Sequence, residues 1–188
     1  GLFFLSASTV RKVLIEEEIM SDRRPKQRRS GSGRKPDRPA ELTGPNQCWT
    51  WDISYLKTDL PRVFWYLFVM LDEWSRKVLA WRVTDHIIKE EALELIDDAF
   101  LAEGLMEVPR NQLPVVVNDR GSQMKAKPVQ QMMKDLGLAQ TFARPRTPND
   151  NPFIESLFST VKSAPLYPDW FPSATIKPAI NYFDKYFG

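Results

Sequence analysis

Three carboxylic acids, Asp52, Asp119 and Glu155, carry the chemical interest of this 188-residue chain. Each falls at the edge of a different expected element, and 35 residues lie between the last two. A carboxylate at the end of a buried apolar run is costly to keep charged unless a cation meets it, and three brought together repel one another. Divalent metal ions remove that conflict. An oxygen-only donor set favours Mg²⁺ or Mn²⁺ over zinc, and such carboxylate clusters suit two-metal cleavage and joining of phosphodiesters.

The elements that must position these acids follow from periodicity. Across residues 47–55, Trp49, Trp51, Ile53 and Tyr55 alternate with Cys48, Thr50, Asp52 and Ser54, a strand period that sets Asp52 opposite the aromatic face. Residues 62–71 form a nearly unbroken apolar run and 77–84 a third β-rich stretch, so three antiparallel strands are expected in succession. The 64–68 run and the tryptophans read as core rather than as base-stacking surfaces. Residues 89–103 switch to helical spacing through Ala92, Ile96, Ala99 and Phe100, and Gly104 stands where a left-handed terminator belongs.

A short β-branched strand over 113–118 delivers Asp119 at its end. Pro128 opens the next helix, with Val129, Met132, Met133 and Leu136 as its stripe and Gly137 as its stop, and 139–143 is expected as the last strand. Asn151 then caps a helix that begins at Pro152 and turns Ile154, Leu157, Phe158 and Val161 inward. Glu155 lies about 100° round from Ile154, on the margin of the buried stripe, and Lys162 returns to the same side seven residues later. An acid and a cation on that flank would address one substrate.

Net charge is only +2, but residues 1–38 hold ten basic and five acidic groups, leaving 16 and 19 in the remainder. A basic arm seeks polyanions, so Arg28 and Arg29 are expected to meet DNA phosphates. Residues 1–20 read as a short helical segment, with Ser8 as cap and Val10, Val13 and Leu14 as its stripe. Residues 21–44 read as a basic, Pro/Gly/Ser-rich linker and 45–188 as the main domain. One cysteine, Cys48, and one histidine, His86, exclude a disulfide framework and a structural zinc site and suit a reducing, cytoplasmic setting. No apolar run approaches the roughly 18 residues of a membrane span.

The stretches Trp49-Thr50-Trp51-Asp52-Ile53-Ser54-Tyr55, Val117-Asn118-Asp119-Arg120-Gly121-Ser122-Gln123 and Asn149-Asp150-Asn151-Pro152-Phe153-Ile154-Glu155-Ser156-Leu157-Phe158 occur in that order. Together with Asp72-x-x-Ser75-Arg76, they make residues 47–162 closely resemble the integrase-core family of bacterial insertion-sequence transposases and, more distantly, retroviral integrases. The resemblance implies an α/β, ribonuclease H-like fold: a mixed five-stranded sheet flanked by helices, with Asp52, Asp119 and Glu155 converging at one edge. It further implies two Mg²⁺ or Mn²⁺ ions, Asp52 bridging them and Asp119 and Glu155 serving one each. Water would free a 3′ hydroxyl at the element end, and that hydroxyl would attack a second DNA strand.

Lys162, Arg120, Gln123 and Asn151 are the expected DNA contacts of such a core. Asp72 is expected to pair with Arg76, and Asp150 to serve the turn before the late helix. An upstream helix-turn-helix module ending within residues 1–20, a core truncated at its C-terminus, and homo-oligomers that hold two DNA ends also follow from the resemblance. A ribonuclease H-like nuclease without joining activity, or an inactive DNA-binding remnant, remains open at this point.

Overall fold

Alternating and β-branched runs place five strands in the computed structural model, which describes residues 38–119, 121, 124–143 and 152–188. These residues belong to one unit, Gly31–Gly188. The expected helix and linker within 1–37, with Arg28 and Arg29, lie outside the described residues. So do Arg120, Gln123, Asp150 and the expected cap Asn151.

Strand β1 (Cys48–Lys57) pairs antiparallel with β2 (Phe64–Asp72), which pairs antiparallel with β3 (Val78–Thr84). Strand β4 (Val115–Asn118) lies parallel to β1 on its other side, and β5 (Ala139–Phe142) parallel to β4. The order β3-β2-β1-β4-β5 is thus the expected mixed sheet. Between its strands run helices α1 (Lys89–Ala102) and α2 (Lys127–Leu136), followed after β5 by α3 (Pro152–Lys162) and α4 (Lys177–Phe187).

Because side chains alternate across a strand, β1 and β2 serve two cores at once. Trp49, Trp51, Phe68 and Met70 face α1 and α2, where Leu95, Ile96, Phe100, Val129 and Met133 meet them. Leu56, Leu67, Val69 and Leu71 face α3 and α4, against Ile154, Phe158, Val161, Ala179 and Phe183. An apolar strand covered on both faces is what the run in β2 requires. Asp52, one residue from Trp51, consequently belongs to the α3 face, opposite the tryptophans.

Several local outcomes differ from the expectations. Strand β2 starts at Phe64, not 62, because Arg62 takes a left-handed turn conformation (φ 68°), and the Thr58 hydroxyl binds the Leu60 and Val63 carbonyls across the hairpin. Two short 3₁₀ turns, Leu105–Glu107 and Arg110–Gln112, fill the passage from α1 to β4. Gly104 (φ 65°) and Gly137 (φ 80°) do take the left-handed positions, and at Gly137 a Cβ would stand 3.1 Å from the Arg110 side chain. Helix α4 runs from Lys177 to Phe187. Its Phe183 and Phe187 pack near Trp81 of β3, with ring centroids 6.3 and 6.0 Å away.

Asp72 does not pair with the Arg76 guanidinium. Its fully buried carboxylate accepts the Asn46 N–H (3.0 Å), the Ser75 N–H (2.8 Å) and the Ser75 hydroxyl (2.6 Å), closing the β2–β3 turn. Three donors satisfy a buried carboxylate without a counter-ion. Arg76, at φ 64°, places its guanidinium 3.2 Å from the centre of the Phe153 ring instead. That contact ties the turn to the start of α3, two residues before Glu155.

Candidate active site

The parallel pairing of β1 with β4 ends with Trp51 beside Asn118. The next residues along the two strands are Asp52 and Asp119, so the register sets these acids side by side where β4 stops. Asp119 leaves the strand at once, and its Oδ1 accepts the Gly121 N–H at 2.7 Å. Glu155 stands in the first turn of α3, exposed, while its neighbour Ile154 is buried against the sheet. Burial of Ile154, Phe158 and Val161 fixes the helix rotation that leaves Glu155 on the rim.

The three acids act on one another electrostatically. Burial pushes the half-buried Asp52 carboxyl up to about 7, and the negative charges of Asp119 and Glu155 push it the same way. A hydrogen bond from the Ile53 N–H, at 2.8 Å, opposes the shift without cancelling it. Residues more than 100 positions apart therefore share one electrostatic environment. Among the described residues, however, no three Asp, Glu, His or Cys side chains are gathered tightly enough to enclose a metal ion. The trio is near enough to repel but is not closed into a cage.

This donor set nevertheless fits a hard divalent cation. All three side chains are carboxylates, and the negative charges of Asp119 and Glu155, which add to burial in raising Asp52, are an imbalance that a cation corrects. Asp72, with its lone pairs committed to the turn, is no part of the group.

Lys162 sits on the Glu155 flank of α3, but its ammonium donates to the Tyr55 carbonyl at 3.1 Å, on β1 beyond the acids. Burial, and then the charge of Lys57, pull its pKa down. The expected acid and cation thus share a helix side while the cation engages the strand. Tyr55, read from the sequence as part of the aromatic face, is exposed, and Lys57 carried no sequence assignment. Their signal was positional: β1 continues past the point where β4 can accompany it. A groove of about 360 Å³ lined by Trp81, Arg82, Asp85, Glu91 and Ile180 lies along β3, at the opposite edge of the sheet from β4 and β5, and holds none of the acids.

The integrase core domain family matches residues 43–148. The chain belongs to the integrase-core family. Among curated relatives of this integrase core, transposase InsF for insertion sequence IS3A of Escherichia coli (strain K12) is 31% identical over 144 residues, covering 76% of the chain and 48% of InsF. The transposase for insertion sequence element IS904 of Lactococcus lactis is 31% identical over 122 residues, covering 65% and 46%. The chain spans about half the length of these relatives.

Solved structures agree on the fold. The catalytic domain of Mos1 mariner transposase superposes with a TM-score of 0.56 at 13% identity, over 76% of this chain and 70% of that one. The HTLV-2 integrase catalytic core domain in complex with magnesium gives 0.50 at 16%, over 76% and 84%. The integrase core is accordingly ribonuclease H-like, and it is related to bacterial insertion-sequence transposases.

Proposed function

We propose that this chain is the catalytic core of an insertion-sequence transposase that cuts DNA at element ends and joins the freed 3′ end to a target strand. The observation that carries the reading is the shared charge environment of Asp52, Asp119 and Glu155 at the end of β4. These three carboxylates would hold Mg²⁺ or Mn²⁺, as two ions, which supply Lewis acidity to the attacking and leaving oxygens of an in-line displacement. Asp52, planted on the central strand, provides the fixed point. Asp119 is oriented by the Gly121 N–H, and Glu155 by the buried stripe of α3.

The reaction balances without a covalent enzyme intermediate. In the first step a water oxygen forms a bond to phosphorus as the bond to the 3′ oxygen breaks, and that oxygen leaves as a hydroxyl. In the second step the same hydroxyl attacks a target phosphodiester, releasing one target 3′ hydroxyl. A positively charged arm over residues 21–38 would hold DNA near the core, and two copies would hold two ends. No helix among the described residues is long and apolar enough to cross a membrane, and the cytoplasm, where chromosomal DNA lies, is the proposed site of action.

Asp119→Asn and Glu155→Gln are the test. Each is expected to abolish both cleavage and joining of a pre-cut 3′ end in Mg²⁺ while leaving DNA binding and folding intact. Full activity in either variant overturns the assignment. Cleavage by the unaltered chain without joined products from a pre-cut end reduces it to a nuclease.

A further inference from the structure

The turn that joins β2 to β3 reaches across to α3 through one side chain. Its backbone is firmly held. Besides the three donors on the Asp72 carboxylate, the Arg76 N–H donates to the Asp72 carbonyl (2.9 Å), the Asp72 N–H to the Lys77 carbonyl (3.0 Å) and the Glu73 N–H to the Cys48 carbonyl of β1 (2.9 Å). Arg76 takes a left-handed conformation there (φ 64°), which glycine or asparagine adopts more easily. A long side chain kept at such a position points to a role for the side chain itself.

The guanidinium ends 3.2 Å from the centre of the Phe153 ring, and among the described residues it forms no ion pair. At about 100° per residue, Phe153 and Glu155 lie on opposite flanks of the buried Ile154 between them. Arg76 therefore grips one side of the first turn of α3 while Glu155 leaves from the other, where its charge reaches Asp52. The first turn of a helix lacks intrahelical partners for its N–H groups, and helix ends open most readily. Ile154 pins that turn to the core. Arg76, holding Phe153 from the far flank, stops it from rolling about that pin and carrying Glu155 away.

We propose that Arg76 is a positioning residue: acting through Phe153, it holds the first turn of α3 where Glu155 can join Asp52 and Asp119 around a divalent cation. This rests on the reading of the three acids as a metal-holding site and deepens it. A site whose competent arrangement is only partly populated binds its ligand more weakly in proportion to that fraction, so loosening the turn shows as lost metal affinity. A contact that merely braces the fold would lower unfolding stability and leave metal affinity alone.

The experiment titrates Mn²⁺ into the full chain without DNA and reads free Mn²⁺ by electron paramagnetic resonance. Arg76→Asn suits the left-handed backbone but removes the guanidinium; Phe153→Leu keeps apolar bulk but removes the ring. Each should raise the dissociation constant about three- to fivefold, within what an exposed cation–π contact can lend. Arg76→Lys keeps a cation for the ring and should stay within about twofold of the unaltered chain. Glu155→Gln should weaken binding by more than either, and adding Arg76→Asn to it should change nothing further, because the carboxylate being positioned is gone. Phe153→Leu tests the same contact should Arg76→Asn fail to fold.

Unchanged Mn²⁺ affinity in both Arg76→Asn and Phe153→Leu overturns the positioning role and leaves the metal site standing. So does a loss from Arg76→Asn that is as large in the Glu155→Gln chain as in the unaltered one. Undiminished binding in Glu155→Gln removes Glu155 from the metal site, and the positioning role with it.

Discussion

Replacing Asp52 with Asn should make the metal-free protein more stable at alkaline pH while destroying its activity. The Asp52 carboxyl ionises at 3.8 in an unfolded chain and at about 7 in the folded one. Between those values the unfolded chain gives up a proton that the folded chain keeps. The carboxyl's contribution to stability is therefore complete below pH 4 and lost as the pH rises through 7. At 1.36 kcal/mol per pH unit the loss reaches about 4 kcal/mol. Water reaching a half-buried group reduces what an experiment would read to about 2–4 kcal/mol.

Asparagine keeps an oxygen for the Ile53 N–H, bonded at 2.8 Å in the native site, and has no charge to bury. Urea unfolding of both proteins in chelator, at several pH values between 4 and 8, should give curves that meet at the acid end and separate progressively, the variant becoming the more stable. At pH 8 added Mn²⁺ should stabilise the unaltered protein, by about 2.7 kcal/mol at a hundred times its dissociation constant, and leave Asp52→Asn unmoved. Parallel curves across the whole range would refute the reasoning, since they would mean that no charge is penalised at this position.

Other perturbations test the surroundings. Arg38→Ala strips the partner at 3.1 Å from Glu73, whose side chain is 1% exposed, and should cost about 2–3 kcal/mol in urea unfolding, part of it recovered in combination with Glu73→Gln. Asn118 is buried and, among the described residues, neither of its side-chain polar atoms has a hydrogen-bond partner, so Asn118→Leu should raise unfolding stability by about 1 kcal/mol or more in the same assay. Arg76→Ala, by freeing Phe153, should cost about 0.5–1 kcal/mol and speed hydrogen exchange in the first turns of α3 above any change in the sheet. Arg28→Ala with Arg29→Ala should lower the salt-dependence slope of DNA binding by about two; an unchanged slope would remove the arm from the interface.

Much of this arrangement was legible because strand and helix periods are local. The alternation across 47–55 placed Asp52 opposite Trp49 and Trp51, and the structure keeps the tryptophans in one core and the α3 stripe in the other. The stripe of Ile154, Phe158 and Val161 likewise left Glu155 on the rim. What escaped was the choice of partner between distant segments. Asp72 and Arg76 were expected to pair, yet Asp72 is satisfied by Asn46 and Ser75, and Arg76 turns to Phe153.

Arg38 looked like one more residue of a solvated linker until Glu73 was found buried opposite it. The start of α4 was hidden because Pro178 and Lys177 carry no apolar period, whereas its reason for existing, the contact of Phe183 and Phe187 with Trp81, spans about 100 residues.

Crystals grown with Mn²⁺ and measured for anomalous scattering at the manganese edge address the assignment most directly. Anomalous density between the carboxylates of Asp52, Asp119 and Glu155, lost in Glu155→Gln or reduced to a single weaker peak, is the predicted result. Manganese bound elsewhere, or carboxylates that stay apart at saturating metal, would contradict it.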